Sequence, residues 1–227
     1  MKRSITLLAI LSLALPASAW SRAEAVAPEV SLDGLEQVEK TRHKEIYVAP
    51  GVDWGSYDAV MIDEATVAFR RHWQRDQNRA QPNRIRTSDM DRIRSSMSKL
   101  FDDVFSGELS DKGGYEIAAG ASQNVLRISP HIIDLDLYAP DPRSAPGIQR
   151  SYVETAGSMT LELHLYDSVT GDLLAVASEH KEAPRRGYLQ WANTVSNTAE
   201  FRMMLEGWAR DLREGLEDAR SNSPTES

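Results

Sequence analysis

Hydrophobic and polar positions alternate most cleanly between residues 159 and 179. Met159, Leu161, Leu163 and Leu165 fall on one side, with Thr160, Glu162, His164 and Tyr166 on the other. That is the period of two expected of a half-buried strand. Residues 167–172 read Asp-Ser-Val-Thr-Gly-Asp, a turn with Gly171 at the tight position, and a second strand over 173–179 completes a predicted hairpin. Upstream the period lengthens. Met90, Ile93, Met97, Leu100, Phe101, Val104 and Phe105 recur at steps of three and four, one stripe of an amphipathic helix that ends near Gly107. Ser88 and Asp91 carry the spacing of a capping box at its start. Phe201, Met204, Leu205, Trp208, Leu212 and Leu216 repeat the helical stripe over residues 197–219.

Shorter signals fill in the order of elements. Residues 46–48 and 57–62 read as strands on either side of a turn-rich Pro-Gly-Val-Asp-Trp-Gly stretch, and Gly113-Gly114 turns the chain into a short strand over 115–118. Residues 125–138 make a longer strand whose parity changes: Leu126 and Ile128 share one register, and Ile133, Leu135 and Leu137 the other. A bulge at Ser129-Pro130 would return both sets to one face. Strand, strand, helix, several strands, helix predicts an α/β (α+β) fold. The expected form is a two-layer sandwich with one mainly antiparallel mixed sheet and two long helices packed on it.

The ends of the chain read differently. Lys2 and Arg3 precede an apolar run over residues 5–15, and Ala17-Ser18-Ala19 offers small side chains where a signal peptidase cuts. Residues 1–19 are therefore expected to be a cleaved signal peptide. The run is too short to span a bilayer, which needs about 20 residues. Residues 20–42 read as a flexible leader, 43–219 as a single α/β domain and 220–227 as a disordered tail. Cleavage leaves 208 of the 227 residues and changes the net charge from -8 to -10, so no nucleic-acid partner is expected. The chain has no cysteine, which excludes disulfides, thiol chemistry and a lipidated N-terminal cysteine.

Candidate chemistry is sparse. No glycine-rich phosphate loop, zinc-binding helix motif or nucleophile elbow is present, and no cofactor is expected. The five histidines lack ligand-like spacing, so no metal is expected either. Residues 70–94 contrast with the acidic whole: eight arginines and no lysine stand against three acids. Arg70, Arg71, Trp73, Arg75 and Arg79 lie in the part of this segment without a firm period, a mobile excursion suited to phosphate or carboxylate groups. The alternative is that these arginines pair with the protein's own acids. A second candidate surface is Arg185, Arg186, Tyr188 and Trp191, a connector that could stack on sugars or peptides or simply staple to the core.

Several stretches together resemble one exported bacterial family. They are Tyr47-Val48-Ala49-Pro50-Gly51-Val52-Asp53-Trp54, Tyr57-Asp58-Ala59-Val60-Met61-Ile62-Asp63 and Val67-Ala68-Phe69-Arg70, followed by Gly157-Ser158-Met159-Thr160-Leu161, Leu165-Tyr166-Asp167-Ser168-Val169-Thr170-Gly171 and Leu189-Gln190-Trp191-Ala192-Asn193. The family is known as domain of unknown function thirty-three-thirteen, and the similarity covers residues 43–217. The resemblance implies an envelope protein of Gram-negative bacteria, often lipoprotein-like, with no catalytic residues to carry over. Many members begin with a lipidated cysteine; its absence here favours the free periplasm.

Three functional expectations follow. The first is a non-enzymatic periplasmic domain that binds an envelope component or a protein partner through the two candidate surfaces, with peripheral contact to an anionic membrane surface compatible with the Arg-rich segment. The second is a hydrolase or carbohydrate-active enzyme with a dispersed site, for which Asp134, Asp136 and His164 are the candidates. The third is a structural subunit of an envelope assembly.

Overall fold

A computed structural model describes residues 30–80, 84–137, 157–183 and 198–222, and the backbone alone at 152–153, 190–191 and 194–197. The predicted signal peptide, Arg185, Arg186 and Tyr188 lie outside the described residues, as does the side chain of Trp191.

The chain builds an eight-stranded mixed sheet. Its strands are β1 (Glu36–Lys40), β2 (Lys44–Val48), β3 (Ala59–Ile62), β4 (Thr66–Phe69), β5 (Glu116–Ile117), β6 (Val125–Leu137), β8 (Gly157–Asp167) and β9 (Leu173–Glu182), while β7 (Tyr152–Val153) and β10 (Gln190–Trp191) form a separate antiparallel ribbon. The spatial order is β1-β2-β9-β8-β6-β3-β5, with β4 also paired to β6. All pairs on the β1 side of β6 are antiparallel, and β3 and β4 run parallel to β6. Three helices appear among the described residues: α1 (Trp73–Ala80), α2 (Thr87–Gly107) and α3 (Thr194–Ser221). The sandwich matches the predicted fold, with one short helix added to the two long ones.

The core lies between one face of the sheet and the stripes of α2 and α3. Met90, Met97, Leu100, Phe101, Val104 and Phe105 of α2 are buried, as are Phe201, Met204, Leu205, Trp208 and Leu216 of α3. Phe101 and Phe105 stack with ring centroids 3.9 Å apart; burying a side chain of this kind stabilises the fold by about 1.5–3 kcal/mol. The capping interaction of α2 sits two residues earlier than its sequence signature. Asp89, not Asp91, accepts the cap hydrogen bond, from the Arg86 N–H at 2.8 Å. Past Gly107 the helix widens into a turn of π-helix over Glu108–Lys112 before the Gly113-Gly114 pair. Buried Glu108 there accepts from Arg213 of α3 (3.0 Å) and from Lys112 (2.7 Å), tying the two helices together.

The bulge of β6 lies elsewhere than expected. The buried apolar side chains Leu126, Ile128 and Ile132 keep one parity, which switches to that of Leu135 and Leu137. The register against β8 shifts between Ile133 and Asp136, where Asp134 takes a left-handed φ of 52°. Opposite it, Gly157 has φ 136°, and a Cβ built there would stand 1.9 Å from the Asp136 carbonyl oxygen, so only glycine fits. Pro130 needs no bulge. Its backbone faces the same side as Ile128, whose carbonyl accepts from the Asp63 N–H, and at that point β3 has ended and β4 has not begun. No ladder donor is required there.

Two further differences concern segments expected to be loose. Residues 36–40 of the presumed leader form edge strand β1, which the sequence hid because Val38 is its one apolar residue and pairing with β2 is carried by backbone. Its Glu and Lys side chains blunt an exposed edge. The Arg-rich excursion holds α1 and is fastened at both ends. Trp73 is buried and donates its Nε1–H to the Leu137 carbonyl at 2.8 Å. Asn78 accepts from the Ile85 N–H at 2.6 Å and Gln74 donates to the Ile85 carbonyl at 3.0 Å.

Candidate functional site

Small side chains on β9 open a cleft beneath α3. Side chains alternate across a strand, so Ala175, Ala177 and Glu179 of β9 face the helix together. Cross-strand pairing sets them in three rows, Val48-Ala175-Leu165, Ile46-Ala177-Leu163 and Lys44-Glu179-Leu161, contributed by β2, β9 and β8. The alanines make a trough between larger aliphatic walls. Above it α3 presents Trp208, Asp211, Leu212, Gly215, Leu216 and Ala219. Gly215 and Ala219 are as small as the alanines below. The space between encloses about 180 Å³, with Trp54 among its lining residues.

Polarity changes along this cleft. At the Lys44-Glu179 row, Glu179 accepts from the Trp208 Nε1–H at 2.9 Å and lies 3.5 Å from Lys181 Nζ. Lys181 also reaches Asp211 at 3.4 Å and sits 5.0 Å above the Trp208 ring. Lys44 pairs with Glu39 at 2.9 Å. Burial opposes its charge, but the Glu39 hydrogen bond and the nearby Glu179 and Asp211 carboxylates hold its pKa above the ordinary lysine value. The opposite row is aliphatic. A broader, more open basin of about 500 Å³ adjoins the charged end; it joins the charged and imidazole side chains of His43, His180, Lys181, Glu182 and Glu200 to the apolar Met203 and Met204, and shares Glu179 with the cleft.

The residues singled out from sequence fall mostly elsewhere. Arg70 is held by Asp136 (2.6 Å) and Asp76 (3.3 Å), and Arg75 by Asp76 (3.2 Å). Farther along, Arg92 pairs with Asp89, and Arg94 with Asp91 at 3.1 Å while lying 5.1 Å over the Phe69 ring. Arg71 and Arg79 are exposed. The expectation that these arginines meet the protein's own acids thus describes much of the segment, and Trp73 belongs to the core, stacked on Phe69 at 4.3 Å, where no ligand can reach it.

The dispersed catalytic site does not assemble. Asp136 pairs with Arg70 and lies across from Ser158, six residues along β8 from His164. At 3.2–3.4 Å per residue that is roughly 20 Å. Asp134 is exposed on the bulge. His164 is fully buried on the sheet face opposite the helices, its Nε2 2.5 Å from Glu162 and its ring 4.8 Å from that of His131. His131 meets Thr66 Oγ1 through Nδ1 at 2.8 Å. Its Nε2 is buried without a hydrogen-bond partner, and burial followed by the proximity of His164 lowers its pKa. Across the hairpin His164 opposes Val176 and His180 opposes Thr160, so the two histidines do not face each other. No group of three or more His, Asp or Glu side chains suited to a metal occurs among the described residues.

The family model described as "Protein of unknown function (DUF3313)" matches residues 26–212, from ahead of β1 into the lower half of α3. The chain belongs to the DUF3313 family. No curated protein is detectably similar to this DUF3313 domain. Solved structures with partial similarity include a Xanthomonas campestris protein of the DUF330 family, 11% identical, TM-score 0.40, covering 77% of this chain and 90% of that one. Another is the PelC dodecamer from Paraburkholderia phytofirmans, 13% identical, TM-score 0.36, covering 72% and 96%. No helix among the described residues of the DUF3313 domain is long and apolar enough to cross a membrane. The cleft left a trace in sequence that periodicity overlooks: an Ala-x-Ala on a strand, following two leucines, and a glycine facing inward on an amphipathic helix.

Proposed function

We propose that this domain is a non-enzymatic binding module of the cell envelope that takes up an apolar part of an envelope component in the cleft between α3 and β2, β9 and β8. The cleft itself carries the reading. Aliphatic walls and two levels of small side chains keep a hydrophobic space open inside a core that is otherwise close-packed, and native cores rarely hold such voids. Pockets that bind small molecules combine an apolar lining with a few polar groups at one end, as here. The separation of Asp134, Asp136 and His164 argues against catalysis by those residues.

Calorimetric titration of the purified protein with dodecyl maltoside below its micelle concentration tests this. Saturable binding is expected, and it is lost in Gly215→Leu, whose side chain grows into the cleft from a position with no atom within 4 Å of its Cβ. Equal binding by Gly215→Leu, with the fold intact by circular dichroism, overturns the assignment.

A further inference from the structure

We infer that the ligand is a single-chain amphiphile whose head carries an ammonium group, with its chain directed toward Trp54 and its head over the basin beside Glu179. The inference rests on the cleft being a binding site and adds the chemistry of its occupant. Volume limits the chain: about 180 Å³ falls below the roughly 300–1,000 Å³ of pockets that hold drug-sized ligands, so one narrow chain fits and a pair does not. The polarity gradient orients it. From the Val48-Ala175-Leu165 row the floor is aliphatic, and the first charges appear at the Lys44-Glu179-Leu161 row, where the basin opens.

Charge selects the head. Glu39, Glu179, Asp211, Glu182 and Glu200 stand around this end, against Lys44 and Lys181 and the imidazoles of His43 and His180. The whole chain carries -8, so an anionic head meets repulsion both at the rim and at long range. An ammonium group meets attraction. The rim already stabilises one: Lys181 Nζ lies between Glu179 and Asp211 and over the Trp208 face, the surroundings in which aromatic rings and carboxylates hold ammonium ions. The two lysines among these acids suit a head of both signs, in which an anionic group accompanies the ammonium.

Three amphiphiles with the same dodecyl chain separate head from tail: dodecylphosphocholine, dodecanoate and dodecyl maltoside, each titrated below its micelle concentration. Dodecylphosphocholine is expected to bind at least about tenfold more tightly than dodecanoate, with the gap narrowing as salt is raised. Asp211→Lys, a change at a half-exposed position, is expected to shrink or reverse that preference. Equal affinity for all three heads, or a preference for dodecanoate, overturns the inference and leaves the cleft as a binding site. Absence of binding by all three overturns both.

Discussion

Gly215→Ala asks whether the cleft is a real void at the cost of helix stability. Gly215 lies inside α3, six residues before its end, where glycine is less favourable than alanine by about 0.5–1 kcal/mol because it loses more backbone freedom on folding. Its φ is not left-handed, so nothing in the backbone demands glycine, and a Cβ built there meets no atom within 4 Å. The substitution therefore gains propensity without a clash. Stability is expected to rise by about 0.5–1 kcal/mol, and the melting temperature by roughly 1–4 °C for a domain of this size. Urea unfolding with an unchanged m-value reads the first quantity and calorimetry the second. A loss of stability beyond about 1 kcal/mol, the size of a modest overpacking penalty, would show the space to be filled and refute the geometry on which the cleft rests.

Two other substitutions test the rest of the architecture. Trp73→Ala is expected to destabilise the fold by about 3–5 kcal/mol, as for other buried aromatics, and Trp73→Phe by about 1 kcal/mol from the lost hydrogen bond to Leu137; a near-neutral Trp73→Ala in urea unfolding contradicts its place in the core. The depressed pKa of His131 makes stability pH-dependent with a definite sign. The unfolded histidine takes up a proton below about pH 6.5 while the buried one resists, so stability is full above that pH and falls as pH drops through the native value. His131→Gln is expected to flatten the slope measured by urea unfolding across this range, and stability that rises on acidification contradicts the assignment.

Periodicity made the sandwich legible because its largest elements bury one face each: the stripes of α2 and α3 and the leucines of β8 survive intact in the structure. What it missed is held together by other forces. Strand β1 pairs through backbone at an edge and buries almost nothing, so its Glu-Gln-Val-Glu-Lys sequence carries no pattern. Helix α1 is anchored by Trp73 at one end and by side-chain hydrogen bonds to Ile85 beyond the other, which a search for a continuous stripe passes over. The parity change in β6 was visible, but its position was not, because Ile132 and Ile133 are both apolar and the left-handed Asp134 that resolves the register looks like any polar strand residue.

The candidate site was hidden for a related reason. Charge contrast drew notice to the arginines of residues 70–94, and most of those whose partners are described are met by neighbouring aspartates. The cleft is made of absences of bulk at Ala175, Ala177, Gly215 and Ala219, on segments far apart in sequence, and becomes visible only when β9 and α3 are placed face to face.

The most direct test of the account is to see where the chain of a bound amphiphile lies. With alanine methyls labelled, NMR on the protein saturated with dodecylphosphocholine should give nuclear Overhauser contacts from the dodecyl chain to Ala175, Ala177 and Ala219, with the choline methyls near His180. Contacts confined to surface methyls outside this set, with the Ala175 and Ala177 signals unshifted, would contradict a binding cleft beneath α3.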